Sequence, residues 1–206
     1  MDVKRQILTA ASVLFTIATV ACTGSAPPPP REPEKPEEPI TGRTAFQRVF
    51  GTARAWAPDV QILRMQNVNL KEVKSSEGKS GAWLITFVSP SRQQARTFSW
   101  SAIEGEGLHK GVFSQPAESY SGPQGQSAPF LLQALKTDTD AALETAAKRS
   151  ANYIKKNPDS PMIFLLEMTK RHPNPTWRVI WGDSVGTSNY SVFVDAATGN
   201  YVETMR

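Results

Sequence analysis

From residue 44 onward the spacing of apolar positions switches between a helical and a strand period, and the same succession occurs twice. Phe46, Val49, Phe50, Ala53 and Trp56 recur every three or four residues, the stripe of a helix buried along one face. Ala57-Pro58-Asp59 stops that helix. Val60 to Met65 then predicts a strand, Lys71 to Gly81 a polar turn region, and Ala82 to Phe87 a further strand. Later in the chain Asp138 or Thr139 caps a second predicted helix. Its stripe is Leu143, Ala146, Ala147, Ser150, Ala151 and Ile154, halted at Asn157-Pro158-Asp159. Strands follow over Met162 to Met168, Trp177 to Trp181, Tyr190 to Val194 and Tyr201 to Thr204, with His172-Pro173-Asn174-Pro175 as a connecting turn.

Trp83 aligns with Trp177, and the register then holds without a gap. Phe87 meets Trp181, Phe98 meets Val192, Trp100 meets Val194, Ala102 meets Ala196 and Gly105 meets Gly199. The expected fold is α+β, two similar units side by side, each a helix packed on an antiparallel meander over residues 43–113 and 129–206. The competing reading is one larger antiparallel sheet with two unrelated helices. Residues 114–128 are rich in Gly, Pro, Ser and Gln and read as a linker, and Phe130 to Leu135 as a short helix leading into the second unit.

In the second unit Trp177-x-Val-x-Trp181, followed by Tyr190-Ser-Val-Phe-Val-Asp-Ala-Ala-Thr-Gly199-Asn-Tyr201, resembles the PepSY and PepSY-like family. The first unit has Ser101 and Glu104 where Asp195 and Thr198 stand. The resemblance implies a helix on an antiparallel sheet, and a role in binding or restraining a peptidase, hence a protein partner. Physically the motif needs no catalysis: Asp195 can cap the backbone amides of a turn, and Gly199 can take a positive φ that a Cβ penalises.

The first 42 residues follow neither period. Lys4 and Arg5 precede an uncharged run from Ile7 to Ala21, a basic and then apolar succession that predicts a secretory signal over residues 1–21. Thr19-Val20-Ala21-Cys22 resembles the lipobox of a bacterial lipoprotein, with Thr19 where that family prefers Leu. Cleavage before Cys22 and acylation of its sulfur, palmitate included, would leave an exported protein anchored to a membrane. In a Gram-negative envelope, Thr23 after the cysteine favours the outer membrane and the periplasmic face. An ordinary secretory signal with an incidental cysteine, or a retained anchor, are the other readings. The run is shorter than the roughly 20 residues a spanning helix needs. Residues 22–42 include PPPPREPEKPEEP, with seven of the sixteen prolines, and predict a stiff spacer of up to roughly 60 Å.

Composition narrows the chemistry. The formal charge of +4 falls to +3 once Asp2, Lys4 and Arg5 leave with the signal, too little to point to a nucleic-acid partner. Cys22 is the only cysteine, so once lipidated it leaves no thiol for a disulfide or a thiolate metal site. His109 and His172 have no partner at metal-ligand spacing, and His172 reads as a solvent-exposed turn residue. No nucleophile elbow, zinc-protease or phosphate-loop motif occurs, and Ser101, Ser191 and Asp195 alone do not make a hydrolase. No enzyme, metal or cofactor is expected. The tryptophans Trp56, Trp83, Trp100, Trp177 and Trp181 read as core residues before they read as a carbohydrate platform. The expected function is a non-catalytic, lipid-anchored interaction protein of the cell envelope. The alternative is an envelope polysaccharide or polyanion binder using those rings and the clusters Lys148-Arg149, Lys155-Lys156 and Lys170-Arg171.

Overall fold

The computed structural model describes residues 37–105, 107–123, 127–188 and 190–206. Cys22, the signal and most of the proline spacer lie outside the described residues. In chain order the elements are β1 (Ile40–Thr41), α1 (Gly42–Trp56), β2 (Gln61–Val68), β3 (Lys79–Ser80), β4 (Ala82–Ser89), β5 (Gln94–Ser101), β6 (Gly111–Ser114), β7 (Glu118–Ser119) and β8 (Ser127–Ala128). A single 3-10 turn at Leu132–Ala134 precedes α2 (Thr139–Lys156), β9 (Met162–Thr169), β10 (Thr176–Trp181), β11 (Ser191–Asp195) and β12 (Tyr201–Met205).

The main sheet runs β12-β11-β10-β9-β2-β4-β5-β6, all antiparallel. Read outward from its centre, the order in each half is first strand after the helix, then second, third and fourth. The central pairing sets Met65 opposite Leu166, flanked by Arg64 opposite Glu167 and Gln66 opposite Leu165. A local twofold that exchanges Met65 with Leu166 carries the first flanking pair onto the second. The helix-and-meander succession therefore occurs twice, but within the one continuous sheet of the competing reading.

Both helices cover one face of this sheet, α1 over β2, β4 and β5 and α2 over β10 and β11. The positions they bury correspond one to one: Gly42, Ala45, Val49 and Ala53 on α1, and Thr139, Ala142, Ala146 and Ser150 on α2, with Gly42 and Thr139 97 positions apart. These are mostly small residues, which lets each helix axis approach the sheet closely. The larger side chains flank the contact. Phe46 and Trp56 are half-buried, Phe46 leaning on Phe87 and Trp56 on Phe98. On α2, Leu143 and Ile154 take flanking places and Ala151 is exposed, so the predicted stripe was rotated toward the larger residues.

The helix N-termini meet at the local twofold. The Gly42 amide donates to Thr139 Oγ1 at 3.0 Å, and the Arg43 amide to Asp138 Oδ1 at 2.8 Å. The Thr139 hydroxyl donates in turn to the Gly78 carbonyl. Gly78 lies at φ +79°, and a Cβ there would stand 2.5 Å from the Asp140 backbone, so only glycine lets this hairpin of the first half touch α2.

Where the sequence pattern slips, a bulge explains it. Ile62 and Met65 both enter the core although three residues apart in a strand, because the β2–β4 register shifts between Ile62 and Arg64. The turn region from Lys71 to Gly81 is less polar than its composition suggests, with Leu70 and Val73 buried beside it. Residues 114–128 are more than a spacer. Ser114 ends β6, β7 pairs with β5, and β8 pairs with β9. Phe130 then exchanges both backbone hydrogen bonds with Ile62, at 2.9 and 3.0 Å, filling the gap where β2 and β9 diverge. The expected helix from Phe130 to Leu135 shrinks to the 3-10 turn, since Phe130 is held extended.

Candidate functional site

Four of the five tryptophans are core. Trp83, Trp100, Trp177 and Trp181 are all at most 4% exposed, and Trp56 is half-buried. Trp83 and Trp177 do the same work in each half. The Trp83 indole N–H donates to the Ile40 carbonyl at 3.0 Å, and the Trp177 indole N–H to the Thr137 carbonyl at 2.9 Å. Each acceptor immediately precedes a helix N-cap, Thr41 or Asp138, so each ring ties a helix entry to the second strand of its own meander. No ring face is left over for a sugar at these positions.

The Asp195 to Gly199 turn has the form the sequence implied. Asp195 Oδ1 accepts from the amides of Ala197 and Thr198 at 2.9 and 2.8 Å and from the Thr198 hydroxyl at 3.0 Å, and Gly199 lies at φ +74°. The carboxylate is spent on its own turn. Ser191 Oγ accepts from Arg178 Nε at 3.1 Å, and Ser101 Oγ donates to the Ile103 carbonyl at 2.7 Å in the other half. Ser101, Ser191 and Asp195 are therefore not brought together as a nucleophile, base and orienting acid would be.

His172 corrects its expected exposure. Its side chain is 9% exposed, stacked on Phe193 at 4.4 Å, with Nε2 2.9 Å from Glu203. Arg171 reaches the other oxygen of Glu203 at 2.8 Å, and this contact chiefly holds the Glu203 carboxyl below its ordinary range. His172 thus fastens the β9–β10 turn to β12, a contact between residues 31 apart that no local pattern reveals. His109 is exposed, 2.8 Å from Glu104 and packed on Phe113. Among the described residues no group of three His, Cys, Asp or Glu side chains converges as a metal site requires.

The feature that sequence reasoning missed is at the rims. β6 and β12 each pair with one neighbour and close the main sheet at its two ends. Of the five exposed large apolar side chains among the described residues, Val112 and Phe113 lie on β6 and Tyr201 and Val202 on β12. The signal was present for β12, an apolar pair at the start of a final predicted strand. It was absent for β6, whose four residues are too short to show a period.

These observations define an α+β protein of two fused helix-and-meander halves with apolar sheet edges. No protein-family model matches the chain, and no curated protein matches it. Among solved structures, the crystal structure of a candidate lipoprotein from Clostridium difficile 630 is similar in fold, with a TM-score of 0.50 at 11% identity. The alignment covers 83% of this chain and 94% of that one. At that identity the likeness is one of fold alone.

Proposed function

We propose that this chain is a lipid-anchored interaction protein of the cell envelope, tethered through Cys22 and receiving an extended segment of a protein partner along the β12 edge. Its role is binding rather than catalysis, in keeping with the PepSY-like ending of the second half. The observation that carries the reading is the rim. Soluble proteins blunt such edges with charge, proline or a covering element. Here Tyr201 and Val202, the latter 43% exposed, stand on a strand with a single partner. Strand addition uses main-chain hydrogen bonds for affinity and alternate side chains for specificity. The lipoprotein half of the proposal rests on the signal ending at Cys22, and is in accord with the description of the Clostridium difficile protein of similar fold.

The test is affinity capture of the membrane-tethered protein beside its Val202→Lys variant, with mass spectrometry of both. A protein retained by the parent and lost from the variant, with melting unchanged, is the expected result. Identical retention by both removes the edge from the proposal. Cys22→Ala in the same host should abolish lipid labelling; labelling that persists sinks the anchor.

A further inference from the structure

On the outer side of α2 the second half carries a cavity of about 490 Å³. Its lining includes Lys148, Arg149 and Lys156 from the helix and Arg206 from the end of the sheet, with Tyr153 and Tyr190 as its wall. Among the described residues no acidic side chain lines it. Lys148 has a carboxylate partner in Glu144, 2.7 Å away and one turn earlier. The wall is rigid: the Tyr153 and Tyr190 rings stack at 4.0 Å and 8°, and Tyr190 meets Trp181 edge-on at 5.7 Å. Arg149 is also placed, its guanidinium 4.6 Å above the Tyr201 ring.

Charge on a helix surface is ordinarily solvated and unspecific, so the first half serves as an internal control. Displaced by the 97 positions that relate the helices, Lys148, Arg149 and Asn152 become Gly51, Thr52 and Ala55, and the one lining position that gains a charge is Ala151, which becomes Arg54. The buried faces of the two helices match, and the outer faces do not. Core packing therefore does not call for the cations.

We propose that this cleft is an anion site for a compact ligand bearing clustered phosphate groups. Two arginines supply forked donors that match phosphate oxygens two at a time, and two lysines supply mobile point charges. The tyrosine wall keeps one side of the cleft away from bulk water, where an ion pair gains strength. A soluble phosphate ester and a phospholipid headgroup share this chemistry. The site touches β12 through Tyr201 and Arg206 but does not rest on strand addition there, and it stands if the peptide reading fails.

The test is calorimetric titration of the full chain in mild nonionic detergent with inorganic tripolyphosphate, at about 0.15 M salt where loose surface attraction is screened. Saturable binding at one site is expected. It should weaken about tenfold in Arg149→Gln and again in Lys156→Gln, the loss of one charge-assisted contact each. Lys170→Gln with Arg171→Gln, a basic pair outside the cleft, should leave it unchanged. Glu144→Gln, which frees Lys148, should tighten it. All four are surface changes, and a melting curve of each confirms the fold. Competition by phosphatidylglycerol in the micelles assigns the phosphate to a headgroup, and its absence to a soluble ester; both support the site. Linear, unsaturable heats, equal losses in the Lys170/Arg171 control, or binding to phosphatidylglycerol without any to tripolyphosphate would overturn it.

Discussion

The two halves of the sheet agree inside and differ outside. Both bury four small positions on the helix at the same spacing, and both hang a tryptophan N–H on the carbonyl before the helix cap. Both return a backbone bond from the alanine after the third strand, Ala102 to Gly81 and Ala196 to Pro175, at 2.8 and 2.9 Å. Outside the core the likeness ends. After the third strand the second half has the tight Asp195 to Gly199 turn, while the first has a longer excursion in which Glu104 accepts from the Lys110 amide and meets His109. Lys148, Arg149 and Lys156 of α2 line a cavity, whereas the exposed arginines of α1, Arg43, Arg48 and Arg54, fall at other positions. Positions shared by the halves are those a helix-and-meander unit needs to close. Positions that differ are free of that demand, and binding chemistry is best sought there.

The largest test of this division is the tryptophan hook. Trp83→Ala and Trp177→Ala each remove a fully buried ring and leave a carbonyl before a helix without its donor. Each should cost about 3–5 kcal/mol, and the two losses should be alike. Trp→Phe in either half should recover most of the packing but not the hydrogen bond. Denaturant unfolding of all four variants gives the comparison. A large loss in one half beside a small one in the other would show that the hooks are not equivalent, whatever their geometry.

The shared interior was also the legible part. Helix stops at Pro58-Asp59 and Pro158-Asp159, the register from Trp83 to Trp177, and the turn at Gly199 all follow from local spacing or backbone preference. Four things were not legible, each for a physical reason. The central Met65–Leu166 pairing joins segments that carry no signal of their partner. The Thr139–Gly78 contact depends on where a hairpin falls in space. β7 and β8 are two-residue strands, too short for any period, in a segment whose composition reads as linker. The α2 cavity needs Arg206 beside a helix that ended 50 residues earlier. At the candidate sites the residue types were visible as basic clusters, but which of them converge was not. Lys148-Arg149 lines a cavity with Lys156, whereas Arg171 turns to Glu203 on the sheet.

The turn after the third strand gives a test of intermediate size. Gly199→Val forces a β-branched residue into φ +74° and should cost about 1–2 kcal/mol. Asp195→Ala should cost about 1 kcal/mol, since three donors lose their acceptor at a partly exposed site. The corresponding change Ser101→Ala in the first half also removes a hydroxyl from its turn, where Ser101 Oγ accepts from the Ile103 amide at 3.3 Å. It should cost less than Asp195→Ala, because a neutral acceptor is weaker than a carboxylate. Thermal melts of the three variants check the order. Unchanged melting for both Gly199→Val and Asp195→Ala, with partner capture lost, would move this turn from structure to function and undo its place in the shared scaffold.

The smallest expected effect separates the two Pro-Asp helix stops. Asp59 binds across the sheet end, accepting from the Ser89 hydroxyl at 2.7 Å and from the Ser91 amide at 2.8 Å. The Ser89 hydroxyl, and after it the Ser91 amide, lower the Asp59 carboxyl to about 2 from its ordinary value of 3.8. A carboxyl whose folded value lies below its unfolded one stabilises the fold above the unfolded value, and loses that contribution as pH falls through the folded one. The contribution of Asp59 is therefore complete above about pH 5, mostly lost by about pH 2 and gone near pH 1. Asp59→Asn should melt below the parent at neutral pH, and the two curves should converge as acid is added across that window. The group is partly exposed, so the gap at neutral pH should be small and should shrink with salt. Asp159 ends α2 from an exposed position, and Asp159→Asn should leave melting at neutral pH unchanged. A gap for Asp59→Asn that persists unchanged at pH 2 would mean that Asp59 acts through shape rather than charge. The two stops would then be alike after all.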